Sequence, residues 1–435
     1  MRVQNRIRSL NQMFGFMRGN VLVLTISGAL GMFSRSMAFP FTPLFILSLG
    51  GRPVDIGTIF AMGPLGGLLV FPIAGYLADH TSRRKLIAYT GYFSSVALLC
   101  FVFAQSWHWI AVARLLQGFA VLQNPASSAI IADSLPPENR GRGMATMMTL
   151  SGTLAIFAPY LAGLLLDHYG INFGSRILYA IMALAYAIGA TINLLFIQDT
   201  SEPEVGEIRL FQMTQNFKRA YTDIPAMLGR FPRTLKALAA IIILCFVANA
   251  LSGPFWVVYA RNHIGLSSAQ WGFVLFVEAG LANLVRIPAG FLTDRRGRAP
   301  FIFASLLLCS IVIPLFVFAN TIAYVMAIRC TIAVAMAFFS PACGALLADT
   351  VPRDIRGRVM AAIGRGSAQL GAASGGTGGP GVGFLTIIPM AMASLAGGYL
   401  YDWHVASPFG LVLLISVITL FLTGFFVRDP KQAEI

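Results

Sequence analysis

The sequence predicts an all-α membrane protein built from two like halves, each with six transmembrane helices. Three observations support this fold class. Hydrophobic residues make up 57% of the 435 residues and charged residues only 11%, which is too few charges to cover a soluble surface. Apolar runs of about 20 residues recur along the chain, and each is long enough to cross a bilayer. Finally, one motif is present in two copies, one in each half of the chain.

The repeated motif lies at the end of an apolar run in each half. Gly75-Tyr-Leu-Ala-Asp79 recurs as Gly290-Phe-Leu-Thr-Asp294, and Arg114 and Arg329 follow the two copies at the same distance along the chain. A membrane protein with an internal repeat of this size usually moves a solute between its halves.

The apolar periodicity places twelve spans at about 20–48, 54–78, 85–105, 107–134, 143–167, 175–197, 237–261, 268–293, 300–319, 321–349, 377–401 and 406–427. A charged stretch separates the sixth span from the seventh. The predicted organisation is therefore an amphipathic N-terminal segment at 1–19, a six-helix bundle at 20–197, a linker at 198–236, a second bundle at 237–427 and a tail at 428–435.

The net charge of +14 is a topology signal rather than evidence of nucleic-acid binding. Most Lys and Arg residues fall in the termini and in loops on one side of the predicted membrane, and this asymmetry places both termini in the cytosol. We therefore expect an integral protein of the plasma membrane. The basic N-terminal segment is expected to lie on the lipid of its inner leaflet.

The sequence shows no sign of a cofactor, a metal site or an enzymatic centre. All five cysteines lie inside apolar runs without metal-ligand spacing. No catalytic set of His, Asp, Glu or Ser and no nucleotide-binding motif is recognisable, which disfavours both an enzyme and ATP-driven transport.

The residue types of the repeated motif have a physical logic. Glycine permits close helix contact, and an aspartate at the membrane boundary can cap a helix or pair with arginine. In this motif, and in Arg114-Leu-Leu-Gln117-Gly118 and a weakened Gly152…Gly163 motif, the chain resembles the major facilitator superfamily. The resemblance implies two bundles around a central cavity, rocking between inward-open and outward-open states, and a protein that works as a monomer.

The resemblance also implies an inner gate that holds the outward-open state. In this family the motif aspartate and arginine pair with an acid at the end of helix 4, a position that Asp133 matches. The residues expected at the gate are Gly75, Asp79, Arg83, Arg84 and Asp133 in the first half, and Gly290, Asp294, Arg298 and Asp349 in the second.

Charges inside the spans are the candidate functional residues, because such charges are costly and usually functional. Glu278 is a candidate proton carrier or a structural partner of an arginine such as Arg286. Arg114 matches a family arginine tied to proton coupling, or has a structural role. Arg35 is a candidate for binding an anionic substrate or for a salt bridge. Candidates for contact with substrate, or for packing between helices, are Gln123, Asn249 and Trp256.

The second half is longer than the first by an insertion that includes the glycine-rich segment 371–383. Glycine at this density does not form a stable helix. We expect this segment at the cytosolic mouth of the eleventh span, either lining a cavity or acting as a plain connector.

The leading functional hypothesis is a secondary active transporter that exports drugs or hydrophobic metabolites, coupled to protons. The alternative is proton-coupled uptake of a small organic anion, favoured by the arginines inside the spans. A lipid flippase or a polytopic membrane enzyme is the alternative of another class, because a fold does not settle a substrate.

Overall fold

The computed structural model describes residues 17–136, 140–200, 233–351, 356–364, 370–372 and 382–429. Within these residues the chain is helical, and eleven helical stretches are long and apolar enough to cross a membrane. Most of the predicted N-terminal segment and most of the predicted linker lie outside the described residues.

The first half contains nine helices within the described residues: α1 Asn20–Ala38, α2 Thr42–Ser48, α3 Pro53–His80, α4 Arg83–Val102, α5 Trp107–Gln117, α6 Gln123–Ser134, α7 Arg140–Ala155, α8 Ala158–Tyr169 and α9 Ile171–Phe196. A 3₁₀ turn that contains Pro40 separates α1 from α2 within the first span. Proline removes a backbone donor and interrupts the helical ladder there.

The fourth predicted span is two short helices rather than one long one. A 3₁₀ segment, Gly118–Leu122, joins α5 to α6. The backbone of Gly118 packs directly on the backbones of Gly66 and Gly67 in α3, so a side chain at Gly118 would collide with them. This close approach fixes α5 against α3 and therefore positions Arg114, near the end of α5.

The second half contains eight helices within the described residues: α10 Arg233–Ser252, α11 Phe255–Asn262, α12 Ser268–Arg296, α13 Ala299–Leu315, α14 Ile322–Thr350, α15 Arg356–Ile363, α16 Phe384–Trp403 and α17 Ser407–Phe426. Their order repeats that of the first half, except that α14 is one helix where the first half has α5 and α6. The seventh span breaks before Phe255, next to Pro254, as the first span breaks at Pro40.

The eleventh span is split into α15 and α16. Gly364 and Val382 form an isolated antiparallel bridge, and Gly383 packs on the backbone of Ile363 so closely that it has no room for a side chain. The end of α15 and the start of α16 are therefore neighbours. The extra residues of the second half are thus inserted within the span.

The expected position of Gly371 at the mouth of the eleventh span is wrong. Gly371 packs on Ile313, near the end of α13, and on Ile332 in α14. The helical rise from Ile332 to the end of α14 at Thr350 is about 27 Å. Residues 370–372 therefore lie inside the bundle, where the backbone of Gly371 and Ala372 has polar partners. Residues 373–381 lie outside the described residues.

The two halves pack on each other through α3 with α16 and α8 with α12. We call the end of the molecule that carries Asp79 and Asp294 the motif end, and the end that carries Asp167 and Asp402 the opposite end. At the opposite end, the backbone of Gly163 in α8 packs directly on Ser268 at the start of α12.

Candidate functional site

An ion pair lies deep in the second half between Glu278 on α12 and Arg329 on α14. Nε of Arg329 donates to Oε2 of Glu278 at 2.9 Å, and Nη2 donates to Oε1 at 2.5 Å. The guanidinium is fully buried, whereas 19% of the Glu278 side chain is exposed. This two-point geometry is the strong form of an arginine–carboxylate contact. The Glu278 carboxylate is therefore paired with Arg329 and, at the same time, partly exposed.

The remaining faces of the Arg329 guanidinium are also occupied. Nη1 donates to the carbonyl oxygen of Gly371 at 2.6 Å. The guanidinium carbon lies 4.7 Å from the ring centroid of Trp256 on α11, which is a cation–π contact. The structure thus brings together two predicted site residues, Glu278 and Trp256, around Arg329, which is the counterpart of Arg114 in the second half.

The segment 370–372 is held in place by side chains from two helices. The backbone N–H of Ala372 donates to Oδ1 of Asn249 on α10 at 3.0 Å, and the N–H of Leu370 lies 3.1 Å from the sulfur of Met336. Gly371 has a φ of 78°, a conformation that favours glycine. Asn249, which was predicted as a cavity residue, therefore accepts a hydrogen bond from the inserted segment.

A small cavity borders the exposed edge of Glu278. It is lined by one acid and one arginine among apolar residues, including Glu278, Arg286, Ile332, Met336, Leu370 and Gly371. Arg286 donates to Oδ1 of Asn283 at 3.1 Å, and it is Arg329 that pairs with Glu278. The sequence left the partner of Glu278 open between Arg286 on the same helix and a residue of another helix, and the structure shows that it is Arg329 on α14.

The first half holds its buried arginine differently. Arg114 is 6% exposed, and its guanidinium carbon lies 4.9 Å from the ring centroid of Phe39 and 5.0 Å from that of Phe60. Nη1 is 3.5 Å from Oε1 of Gln117, a long contact. Nε of Arg114 is buried without a hydrogen-bond partner among the described residues.

Arg35 belongs to the same cluster as Arg114. Its guanidinium carbon lies 4.8 Å from the ring centroid of Phe39, so two arginines contact one aromatic ring. Gln123 begins α6 and is partly buried, and none of the hydrogen bonds described above involves it. The four predicted cavity residues therefore fall in three places: Arg35 near Arg114, Asn249 and Trp256 near Arg329, and Gln123 apart from both.

At the motif end, each half contains its own ion pair. Nη1 of Arg83 donates to Oδ2 of Asp133 at 2.8 Å in the first half. In the second half Arg298 pairs with Asp349 and lies 3.6 Å from Asp294. The structure therefore joins the predicted gate residues Arg83 with Asp133, and Arg298 with Asp349, within rather than between the halves.

The other predicted gate residues make fewer contacts. Asp79 is exposed and forms no ion pair with the described residues. Nε of Arg84 is buried without a hydrogen-bond partner among them. Gly75 and Gly290 have open space where a side chain would be, so neither supports close helix contact in this conformation.

Two aspartates that the sequence analysis missed cap the third span of each half, which is α4 in the first half and α13 in the second. Asp199 accepts from the backbone N–H of Arg84 at 2.9 Å and from the hydroxyl of Ser82 at 2.6 Å. Asp429 accepts from the N–H of Arg298 at 3.0 Å and from that of Ala299. Each aspartate is the third residue after the last helix of its half, in Phe-Ile-Gln-Asp and Phe-Val-Arg-Asp. This second repeat in the sequence could have identified the two aspartates as equivalent residues.

Comparisons with known proteins identify the family. The model of the Major Facilitator Superfamily matches residues 24–247 and 238–435. The chain belongs to this superfamily. Together with its long apolar helices, this family membership makes it an integral membrane protein of a transporter family, as the resemblance predicted.

The relatives of known sequence include multidrug exporters. The chain is 33% identical over 176 residues to a Multi-drug resistance efflux pump PmrA homolog of Lactococcus lactis, covering 39% of this chain and 42% of that one. It is 24% identical to PmrA of Streptococcus pneumoniae, over 57% of this chain and 62% of the relative. It is 25% identical to the multidrug resistance protein MdtG of Enterobacter lignolyticus, over 75% of this chain and 76% of the relative. The first two matches thus span less than two thirds of the relatives.

Solved structures share the fold. The nucleoside transporter NupG superposes with a TM-score of 0.69 at 13% identity, covering 94% of this chain and all of that one. A bacterial homolog of the human lysosomal transporter Spinster, in an inward-facing and occupied conformation, superposes with a TM-score of 0.67 at 16% identity. The match covers 95% of this chain and 98% of that one. The predicted twelve-helix, two-bundle architecture is confirmed at this level.

Proposed function

We propose that the protein exports amphiphilic drug-like molecules in exchange for protons. The names of the relatives favour export of drugs, and the fold is one that solved transporters of small molecules share. Coupling to protons is supported by the position of Glu278. This acid lies deep within a span, and its partly exposed carboxylate borders a cavity. A proton that binds this carboxylate removes its charge and weakens its ion pair with Arg329, so proton binding and substrate binding can be linked.

The test is transport in proteoliposomes with an imposed pH gradient, a pH-sensitive dye inside and ethidium as a cationic probe. We expect ethidium movement to drive proton flux in the opposite direction, and we expect Glu278→Gln to abolish that flux. Asp402→Asn is the matched control, because Asp402 is an exposed carboxylate at the opposite end. Ethidium transport that does not depend on the pH gradient, or that remains coupled to proton flux in Glu278→Gln, would contradict the proposal.

A second candidate is uptake of a small organic anion. It is favoured by Arg114, which is buried and has no carboxylate partner among the described residues. The same proteoliposomes distinguish the two: inward movement of an anion together with protons would establish uptake, and proton exchange against the probe would establish export.

The conformation and its orientation are part of the proposal. We infer that the structure is inward-facing, with the motif end in the cytosol and the opposite end closed outside. The distribution of basic residues supports this orientation. The contacts at the opposite end, where Gly163 packs on Ser268, support the closure. Both termini are then cytosolic, and we propose that the transporter acts as a monomer.

The inner gate also remains a proposal. Asp79 is exposed here, while Arg83 and Asp133 pair within one half. We propose that Asp79 gains its partner only when the motif end closes, so that it favours the outward-open state. Asp79→Asn would then slow transport and lower the outward-open population without lowering the melting temperature of the inward-facing state. Unchanged transport and populations in that variant would remove Asp79 from the gate.

A further inference from the structure

The two buried arginines occupy equivalent positions, but their partners differ. The spacing from Arg114 to Arg329 along the chain equals the spacing from Gly63 to Glu278. In the second half the acid at this position binds its arginine through both oxygens. In the first half a side-chain carbon at Gly63 would lie 3.9 Å from the guanidinium carbon of Arg114 and 4.0 Å from its Nε. The first half therefore has the same arginine facing a glycine where the second half has a carboxylate.

A side-chain carbon would fit at Gly63, and a hydrogen-bond donor faces it. The nearest atom to the ideal side-chain carbon at Gly63 is the backbone oxygen of Arg114 at 3.8 Å, an ordinary van der Waals distance. Nε of Arg114 lacks a hydrogen-bond partner among the described residues, although this residue is only 6% exposed. A buried charge without a counter-ion is costly, and a bound anion removes that cost.

The surroundings of Arg114 favour an organic rather than a fully hydrated anion. The rings of Phe39 and Phe60 face its guanidinium at 4.9 and 5.0 Å. Arg35 contacts the same Phe39 ring at 4.8 Å and adds to the positive potential. A carboxylate attached to an aromatic body can use both features, because the guanidinium fork binds two oxygens and the rings exclude water.

We propose that Gly63, Arg114, Phe39 and Phe60 form a subsite for the carboxylate of an aromatic or amphiphilic organic anion. The substrate carboxylate takes the place that the Glu278 carboxylate occupies in the other half. The inference rests on the proposed transport function, and it adds organic anions to the substrates. It also explains the asymmetry of the halves: the chain itself supplies the counter-ion of Arg329, whereas Arg114 receives one from the substrate.

The test compares binding of 1-naphthoate with that of its neutral analogue 1-naphthamide to the purified full chain in chloride-free buffer. We expect naphthoate to bind at least tenfold more tightly. Gly63→Glu places a permanent carboxylate beside Arg114, and we expect it to weaken naphthoate binding at least tenfold more than naphthamide binding. Gly63→Gln has the same size without the charge, and it should affect both probes alike. Size-exclusion profiles and melting temperatures verify that each variant is folded.

Several outcomes would overturn this assignment. Equal affinity for naphthoate and naphthamide would exclude a carboxylate subsite. Equal effects of Gly63→Glu and Gly63→Gln on naphthoate would show a steric effect only. Displacement of naphthoate by millimolar chloride would assign the position to an inorganic anion. Should Gly63→Glu fail to fold, Arg114→Gln supplies the comparison, with a selective loss of naphthoate binding expected and an equal loss of both probes contradicting the subsite.

The outcome is separable from that of the proposed function. Binding is measured without a gradient, so naphthoate can bind selectively even if ethidium export proves uncoupled, which would refute proton-coupled export and leave the subsite intact. Conversely, coupled ethidium export without selective naphthoate binding would support the exporter and refute the subsite.

Discussion

Asp167, at the end of α8 in the first half, accepts a hydrogen bond from the backbone N–H of Ser268, the first residue of α12 in the second half, at 2.9 Å. Its other oxygen accepts from the N–H of Ala269 at 2.8 Å. The first N–H groups of a helix have no partner within the helix, and the positive end of the helix dipole favours an anion. One carboxylate thus joins the two halves at the opposite end.

We expect Asp167→Ala to shift the protein towards conformations that are open at the opposite end. Loss of a helix cap costs about 1 kcal/mol. Because this cap forms across the halves, the cost falls on the closed state, and the ratio of the two conformations should change roughly fivefold. Distances between spin labels in the short loops of that end would report the change.

Asp402 provides the control for that experiment. It is the counterpart of Asp167 in the second half, but it is exposed and makes no hydrogen bond or ion pair with the described residues. Asp402→Ala should leave the label distances unchanged. A shift of equal size in both variants would show that surface charge, rather than the cap across the halves, sets the equilibrium.

The capping aspartates at the motif end lead to a prediction about stability. Asp199→Ala removes the acceptor of the Arg84 N–H, and Asp429→Ala removes that of the Arg298 N–H. Each change should lower the free energy of unfolding by about 1 kcal/mol, because it leaves helix N–H groups without their acceptor. Melting temperatures in detergent would measure this, and asparagine at the same positions should retain part of the stability.

The Glu278–Arg329 pair should be strongly coupled in stability. Glu278→Gln leaves a fully buried guanidinium without its counter-ion, and breaking a buried pair in this way costs about 3–5 kcal/mol. Glu278→Gln combined with Arg329→Gln removes both charges and should recover most of that loss. A double-mutant cycle of melting temperatures checks the coupling, and additive effects of the two changes would contradict it.

The junction of α15 and α16 should not tolerate a side chain at Gly383. A Cβ there would collide with the backbone of Ile363 and with Ala362 and Gly364. We expect Gly383→Ala to cost about 1–3 kcal/mol, as overpacking does. Gly410→Ala is the matched control, because Gly410 lies within α17 with nothing within 4 Å of the added carbon. That change should raise the melting temperature, since alanine favours a helix.

Much of the motif-end geometry could be anticipated from the sequence. The family resemblance implied that Asp133 pairs with the motif arginine, and Arg83 does pair with it. Arg298 and Asp349 were expected at the same gate, and they pair with each other. Asp199 was missed because its role depends on a loop that returns to the start of α4, and composition alone does not reveal such a return. Whether these pairs gate transport remains a prediction.

The sequence by itself determined the membrane class, the two like halves and the family, because hydrophobic length and a motif repeated in each half are written along the chain. Only the tertiary structure decided which charges meet. Glu278 pairs with Arg329 rather than with Arg286, since helix packing brings α14 against α12. It also showed that Arg114 faces Gly63, because a missing partner becomes visible only when distant helices are in contact.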